Sequence, residues 1–226
     1  MTSTASPPER PAPRDLVRQV RAVVADLPRF TAAPLCRPWH RHWGATAAEQ
    51  TAPMPGDRLL PRAQYRCTRA LTIRAAPEAV WPWLVQAGCL RAGFYSDDLL
   101  DNLARPSAER ILPRFQRLRA GQWVPMTPVP TPETAFRVAA FETGRWLLWT
   151  KPDSTWSWVL TDDGEGGTRL VTRVRARYEW SRPAYAAVSV LLMEFGDFAM
   201  MRRMLLGIRR RAEHAGDAGE RGDHAG

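Results

Sequence analysis

Two hydrophobic periods run along this chain. Between residues 66 and 180 apolar side chains recur at every second position, and on either side of that stretch they recur at helical spacing. A period of two marks strands with one face toward a core, and a period of 3.6 marks amphipathic helices. Residues 66–74 alternate with Leu71 and Ile73 on one face, and further strands are predicted at about 121–126, 135–142, 145–151, 154–162 and 167–180. Glu142-Thr-Gly-Arg145 and the run from Asp162 to Gly167 have hairpin-turn composition, so the strands form an antiparallel meander. Within 167–180 the even positions, Leu170, Thr172, Val174, Ala176, Tyr178 and Trp180, take the core face, while Arg169, Arg173, Arg175 and Arg177 point to water. Trp156, Trp158 and Leu160 match the core set, as do Phe136 and Val138. The 145–150 strand is ambiguous, with Trp146 and Leu148 against Leu147 and Trp149.

Helices flank and interrupt these strands. Residues 14–27 carry Leu16, Val17, Val20, Val23, Val24 and Leu27 at helical spacing opposite Arg14, Arg18 and Arg21, which reads as an amphipathic helix packed on the body. Contact with a membrane surface or a partner is the alternative. Thr46-Ala-Ala-Glu49 is a capping box, and Pro53 ends the short helix it opens. Pro77 suits the first position of a helix over 77–87, with Val80, Trp81, Leu84 and Val85 as its stripe. A second helix, capped by Ser96, ends before Pro106. The last helix is predicted over 183–213. Residues 184–201 are apolar on nearly every face, the mark of a buried helix, yet Glu194 and Asp197 sit in the middle with no basic residue three or four positions away. They need a partner from elsewhere in the fold, a ligand or a shared proton.

The chain has 226 residues, 45% of them hydrophobic, which is length enough for a sizeable core. The net charge of +9 would ordinarily raise nucleic acid as a partner. Here Lys151 is the only lysine, and abundant arginine and alanine read as the codon bias of a GC-rich genome, so no nucleic-acid binding is expected. Cys36, Cys67 and Cys89 show neither a CxxC pair nor metal-ligand spacing. The proline-rich N-terminus lacks the apolar core of a signal sequence, and no uncharged apolar stretch reaches about eighteen residues. A soluble, cytoplasmic protein without metal or cofactor is expected.

Few residues bear chemistry. Glu194 and Asp197 are either an acid/base pair or half of a buried ion pair with arginines from the body. Tyr95, Asp97, Asp98 and Asp101 cluster near a helix start, where acids are favoured by the dipole in any case. His40 and His42 are a poor zinc signal, and no nucleophile elbow, phosphate loop or dinucleotide fingerprint occurs.

The order strand, two helices, antiparallel strands, long C-terminal helix resembles the START-like helix-grip superfamily, also called SRPBCC, which includes polyketide cyclases, plant allergens and lipid-transfer domains. The matching segments are ALTIRAAPEAVWPWLVQAG (70–88), GFYSDDLLDNL (93–103) and FGDFAMMRRMLLGIRRRAE (195–213), and RPWHRHWGATAAE (37–49) resembles uncharacterised bacterial members. The resemblance implies an α+β helix-grip fold, a curved antiparallel sheet wrapped on the C-terminal helix. Residues 1–13 are read as a disordered lead, 14–65 as a helical extension, 66–213 as the grip and 214–226 as a disordered tail.

The resemblance also implies a cavity between sheet and last helix for a small hydrophobic molecule, aromatic, polycyclic or lipid-like. Trp156, Trp158, Trp180 and Tyr178 would supply stacking surface, Thr172 a hydrogen bond, and Met193, Met200 and Met204 an adaptable wall. The competing account is that the tryptophans fill the space themselves. A cyclase- or aromatase-like enzyme, with Glu194, Asp197, Tyr95 or Tyr178 as its acid/base groups, is the second reading. A membrane-surface or interaction module is the third.

Overall fold

A computed structural model describes residues 14, 16–21, 24–25 and 37–223, apart from the side chains of 192, 195 and 216–223. The lead over 1–13 lies outside the described residues, as do Cys36, Val23 and Leu27. Residues 14, 16–21 and 24–25 are helical and make up the described part of α1; the chain then forms α2 (Arg37–Arg41), α3 (Ala47–Thr51), β1 (Tyr65–Ile73), α4 (Pro77–Gln86) and α5 (Asp98–Asp101). Then come β2 (Trp123–Pro125), β3 (Ala135–Glu142), β4 (Trp146–Lys151), β5 (Ser154–Asp162), β6 (Thr168–Ala176), α6 (Pro183–Leu191), a π turn (Leu192–Gly196) and α7 (Asp197–Asp223). The fold class is α+β.

The six strands make one antiparallel sheet in the order β1-β6-β5-β4-β3-β2. β2 to β6 are the predicted meander, and β1 closes the far edge against β6. The connection from β1 to β2 must cross the sheet, and this carries α4 and α5 over one face. A register shift between Val138 and Ala140 bends the β3–β4 pair there. The Thr46 capping box forms as predicted, and Pro77 opens α4.

Register assigns the faces. Trp149 pairs with Trp156, Leu147 with Trp158, and Trp158 with Thr172. The ambiguous β4 therefore sends Leu147 and Trp149 inward. β1 contributes Tyr65, Cys67, Arg69, Leu71 and Ile73 to the same inner face, opposite Ala176, Val174, Thr172, Leu170 and Thr168. Against it lie α4 and the buried stripe of α7, Met201, Met204, Leu205, Ile208 and Ala212.

On the other face Arg169, Arg173 and Arg175 do not run into water as predicted, while Arg177, just past the end of β6, is exposed. The segment 43–62 lies across this face as a strap, with Met54 packed against Ala70 and Val171. Arg173 is almost fully buried. It donates to Thr68 Oγ1, to the carbonyls of Glu49, Gln50 and Ala52, and to Asp57 Oδ2 at 2.7 Å. Arg175 donates to the carbonyls of Leu60 and Pro61, and Arg169 takes Glu49 in a two-pronged pair. A strap without a strand ladder needs partners for its carbonyls, and the five donors of a guanidinium supply them. Gly44 marks the closest approach: its φ is +72°, and a Cβ there would stand 2.0 Å from the Ala70 carbonyl oxygen.

Three further predictions need correction. β6 ends at Ala176, so Trp180 leaves the sheet and is 59% exposed. The last helix is broken by the π turn and runs on through Asp223, ten residues past its predicted end. No proline stops it, and each glycine costs a helix only about 1 kcal/mol. The apolar side of α1 is not packed on the body: Leu16, Val17, Val20 and Val24 are all exposed. Among the described residues no helix is long and apolar enough to cross a membrane.

Arg173→Ala strands five acceptors beneath the strap and should lower stability by about 3 kcal/mol or more. Arg169→Ala, at a more solvated pair, should cost less than about 1 kcal/mol. Urea unfolding of both variants measures the difference, and equal small losses would mean that the strap is not held through Arg173.

Candidate functional site

The carboxylates of the broken helix come first. Asp197, the first residue of α7, accepts from Arg69 Nη1 at 2.6 Å and from the Tyr65 hydroxyl at 2.7 Å. Arg69 is itself buried and donates Nε to the His40 carbonyl at 2.8 Å. Burial, followed by the Asp197 charge, holds Tyr65 protonated and well above the usual tyrosine range. Burial works against the Arg69 cation, and the carboxylate more than restores it. Glu194, in the π turn, accepts from Arg37 at 2.5 Å and from Arg41 at 3.1 Å. Each carboxylate thus meets arginines of its own, one at Asp197 and two at Glu194. Arg69 was detectable in the sequence as an arginine in phase with Leu71 and Ile73, but nothing local named Asp197 as its partner.

The aromatic face is a contiguous cluster. Trp149 stands edge-on to Trp156 at 5.1 Å and to Trp158 at 5.8 Å, and Phe136 stands edge-on to Trp156 at 5.8 Å. Trp156 donates Nε1 to Thr172 Oγ1 at 2.9 Å, and that hydroxyl donates to the Ser157 carbonyl. Thr172 is therefore occupied within the sheet. The Nε1 atoms of Trp149 and Trp158 and the hydroxyl of Tyr178 are buried and have no hydrogen-bond partner. Burial, then the nearby Glu194, pushes Tyr178 up to about 12, so its hydroxyl is a standing donor. Trp149 belongs to the cluster as fully as the two tryptophans predicted for it.

The methionine wall is rephased. Met204 is buried as predicted and Met193 is half-buried, but Met201 rather than Met200 takes the inward position. In an unbroken helix Met193 and Met200 would share a face at seven residues' spacing. The wider π turn inserts one residue, and the face continues at spacing eight.

A separate cleft of about 590 Å³ opens between residues 95–109 and α7, lined by Tyr95, Ser96, Asp97, Asp98, Ser107, Glu109, Arg203 and Arg211, with Arg18 and Gln19 at its edge. Costly backbone geometry lies in and beside its wall: Tyr95, which lines it, and Leu90, Leu103 and Ala104 in the adjoining segment all have φ between 54° and 60°. Tyr95 is tied down by its hydroxyl to the Trp83 carbonyl at 2.9 Å and by its amide to Ser107 Oγ at 3.0 Å. Gly207 lets α7 approach, since a Cβ there would lie 2.3 Å from the Tyr95 carbonyl oxygen. Asp97 pairs with Arg203, and Asp98 accepts from Ser107. Asp101 is buried behind them, with Ser96 donating to one oxygen and no partner on the other. Burial, reinforced by Asp98 and Asp97, raises its carboxyl to about 7. The predicted acid cluster is thus brought together, with Tyr95 and two of its acids on the cleft and Asp101 beneath. His40 stacks flat on Phe198 at 4.0 Å, a packing role. Among the described residues no three His, Cys, Asp or Glu side chains are grouped to hold a metal.

With strand order and helix placement in view, the architecture can be named. The chain has a helix-grip fold. No protein-family model and no curated protein matches it by sequence. Among solved structures it is similar to protein SSP2350 of Staphylococcus saprophyticus, at 13% identity and a TM-score of 0.41 over 67% of this chain and 93% of that one. It is likewise similar to the Polyketide_cyc-like protein Cgl2372 of Corynebacterium glutamicum, at 14% identity and 0.38, covering 64% and 89%. A norcoclaurine synthase point mutant of Thalictrum, solved in complex with a transition state analogue, is similar at 11% identity and 0.32, covering 67% and 95%. Function has to be argued from this chain's own residues.

Asp197→Asn leaves the Arg69 cation buried without its counter-charge and should cost about 3–5 kcal/mol. Glu194→Gln, whose partner Arg37 is half exposed, should cost about 1 kcal/mol or less. Chemical denaturation separates the two, and a small loss at Asp197 would remove its structural role.

Asp101 makes stability depend on pH with a definite sign. Its folded value, about 7, lies above the unfolded 3.8, so between them the folded state binds the extra proton. Stability contributed by the protonated carboxyl is full below about pH 4 and is lost as pH rises through 7. Asp101→Asn should remove this decline, raising the melting temperature at pH 8 relative to the parent while leaving it nearly unchanged at pH 4. Parallel melting curves across that range would refute the assignment.

Proposed function

We propose that the chain binds a small, largely apolar molecule carrying a hydrogen-bond acceptor, in the interior between the sheet and α7. The observation that carries this reading is the pair of indole N–H groups on Trp149 and Trp158, buried side by side with no acceptor. A buried donor without a partner costs about 1–3 kcal/mol, and folded proteins rarely leave one so. Ligand sites are mostly apolar with a few polar groups that set orientation, and two donors on an aromatic wall have that character. The tryptophans are closely covered, so a ligand would displace side chains. Met193, Met201 and Met204 belong to the same cluster, and unbranched thioethers repack readily. An aromatic ligand with a carbonyl or phenolate oxygen fits both features. Trp180 and Met200 have no place in this site, and Thr172 has no free hydrogen bond to give it.

One feature favours the enzymatic alternative. Tyr178 is a buried hydroxyl without a partner, a proton donor in search of an acceptor. Glu194 and Asp197 are spoken for by arginines and leave it no base. The binding reading therefore stands first, with Tyr178 as a third donor.

Titration with flat aromatic ketones should quench tryptophan fluorescence saturably. Trp158→Phe, which keeps an aromatic ring and removes the donor, should weaken binding by about three- to tenfold, and Trp180→Phe should not change it. Absence of saturation, together with an unaltered response in Trp158→Phe, would mean that the tryptophans serve packing alone. Product formation abolished by Tyr178→Phe would move the reading to catalysis.

A further inference from the structure

The exposed side of α1 and the two leucines beside it form a surface that the interior site does not explain. Leu16, Val17, Val20 and Val24 are 42%, 53%, 44% and 55% exposed. At 100° per residue they fall within an arc of about 100°, and Arg14, Arg18 and Arg21 occupy a neighbouring arc of about 60°. Gln19 lies outside both arcs and holds the helix to the body, donating to the Ala104 carbonyl at 3.2 Å. That bond brings α1 to the strained 90–104 segment, where Leu100 and Leu103 are themselves 51% and 53% exposed. Leu103 keeps this exposure at a φ of 54°, a conformation a leucine adopts at a cost.

We propose that α1, with Leu100 and Leu103, docks on an anionic phospholipid surface. A helix with an apolar arc beside an arginine arc lies in the plane of a membrane interface, its leucines and valines among the acyl chains and its guanidiniums at the phosphates. The charge is complementary: Arg14 and Arg21 stand next to the apolar arc, Arg18 turns toward the cleft, and the whole chain carries +9. A second copy of the chain fits less well, because two-fold pairing through the apolar arc brings the arginine arcs of both copies together. Nucleic acid would use the arginines and leave four exposed apolar side chains without a role.

The test is sedimentation of the full chain with vesicles of phosphatidylcholine, with and without phosphatidylserine. Binding is expected on the anionic vesicles only, falling steeply as salt screens the arginines. Val17→Asp with Val20→Asp should reduce it by about tenfold or more, and Arg14→Gln with Arg21→Gln by about tenfold. Both pairs are exposed, so melting temperatures should match the parent; should the aspartate pair unfold the chain, the glutamine pair decides alone. Equal partition onto neutral vesicles, or anionic binding that survives both pairs, overturns the proposal. So does a dimer in analytical ultracentrifugation that the aspartate pair dissociates while vesicles remain unbound, or duplex DNA binding lost with the arginines in place of vesicle binding.

Discussion

The pairing of Arg69 with Asp197 is the contact on which the other layers of the fold converge. Its guanidinium lies on the inner face of β1, reaches α2 through the His40 carbonyl, and meets the first residue of α7. The sheet, α2 and α7 are thus joined at one buried cation. Taking such a pair out of water is expensive, and it is retained where it fixes one arrangement against its neighbours. Here it sets where α7 begins. The π turn immediately before it adds the residue that lets Asp197 face Arg69 while Met201 and Met204 face the core. Glu194, on the turn itself, is steadied by Arg37 and Arg41 from α2, so the break in the helix is held from both ends.

The arginines account for much of the organisation on the opposite face. Arg169, Arg173 and Arg175 bind the carbonyls and acids of residues 44–61, so part of the positive charge of the chain is committed to its own backbone. Apolar contact between strap and sheet is small, centred on Met54, Ala70 and Val171. The strap is therefore attached mainly by charge-assisted hydrogen bonds, which are directional and stronger than neutral ones. The sheet is covered on both sides, by an aromatic and aliphatic core on one and by a polar clamp on the other.

Strain or unmet hydrogen bonds mark two places in particular. One is the 90–104 segment, with its left-handed leucines, its tyrosine and the neutral-range Asp101. The other is the tryptophan wall, with its unpartnered indoles. Both kinds of cost are tolerated in a folded chain where something offsets them. The first lies beside the open cleft and the exposed face of α1, the second in the grip interior. A surface contact and an interior ligand would thus draw on different parts of one framework.

Much of this was legible in the sequence, because it depends on neighbours in the chain. The two-residue period located the strands and sorted Leu170, Val174, Trp156 and Trp158 onto one face; Thr46 and Pro77 marked helix starts; Glu194 and Asp197 announced themselves as charges in need of partners. Tertiary structure decided what those charges met, since Arg69 lies 128 residues from Asp197 and no local rule links them. It decided that the arginine face is covered, because alternation distinguishes two faces without saying what lies on either. It decided that Met201 replaces Met200, because a π turn forms where long-range anchors outweigh the local ladder. Period and capping belong to the sequence; burial on the second face, helix phase and ion pairing belong to the fold, because each depends on groups brought together only when the layers pack.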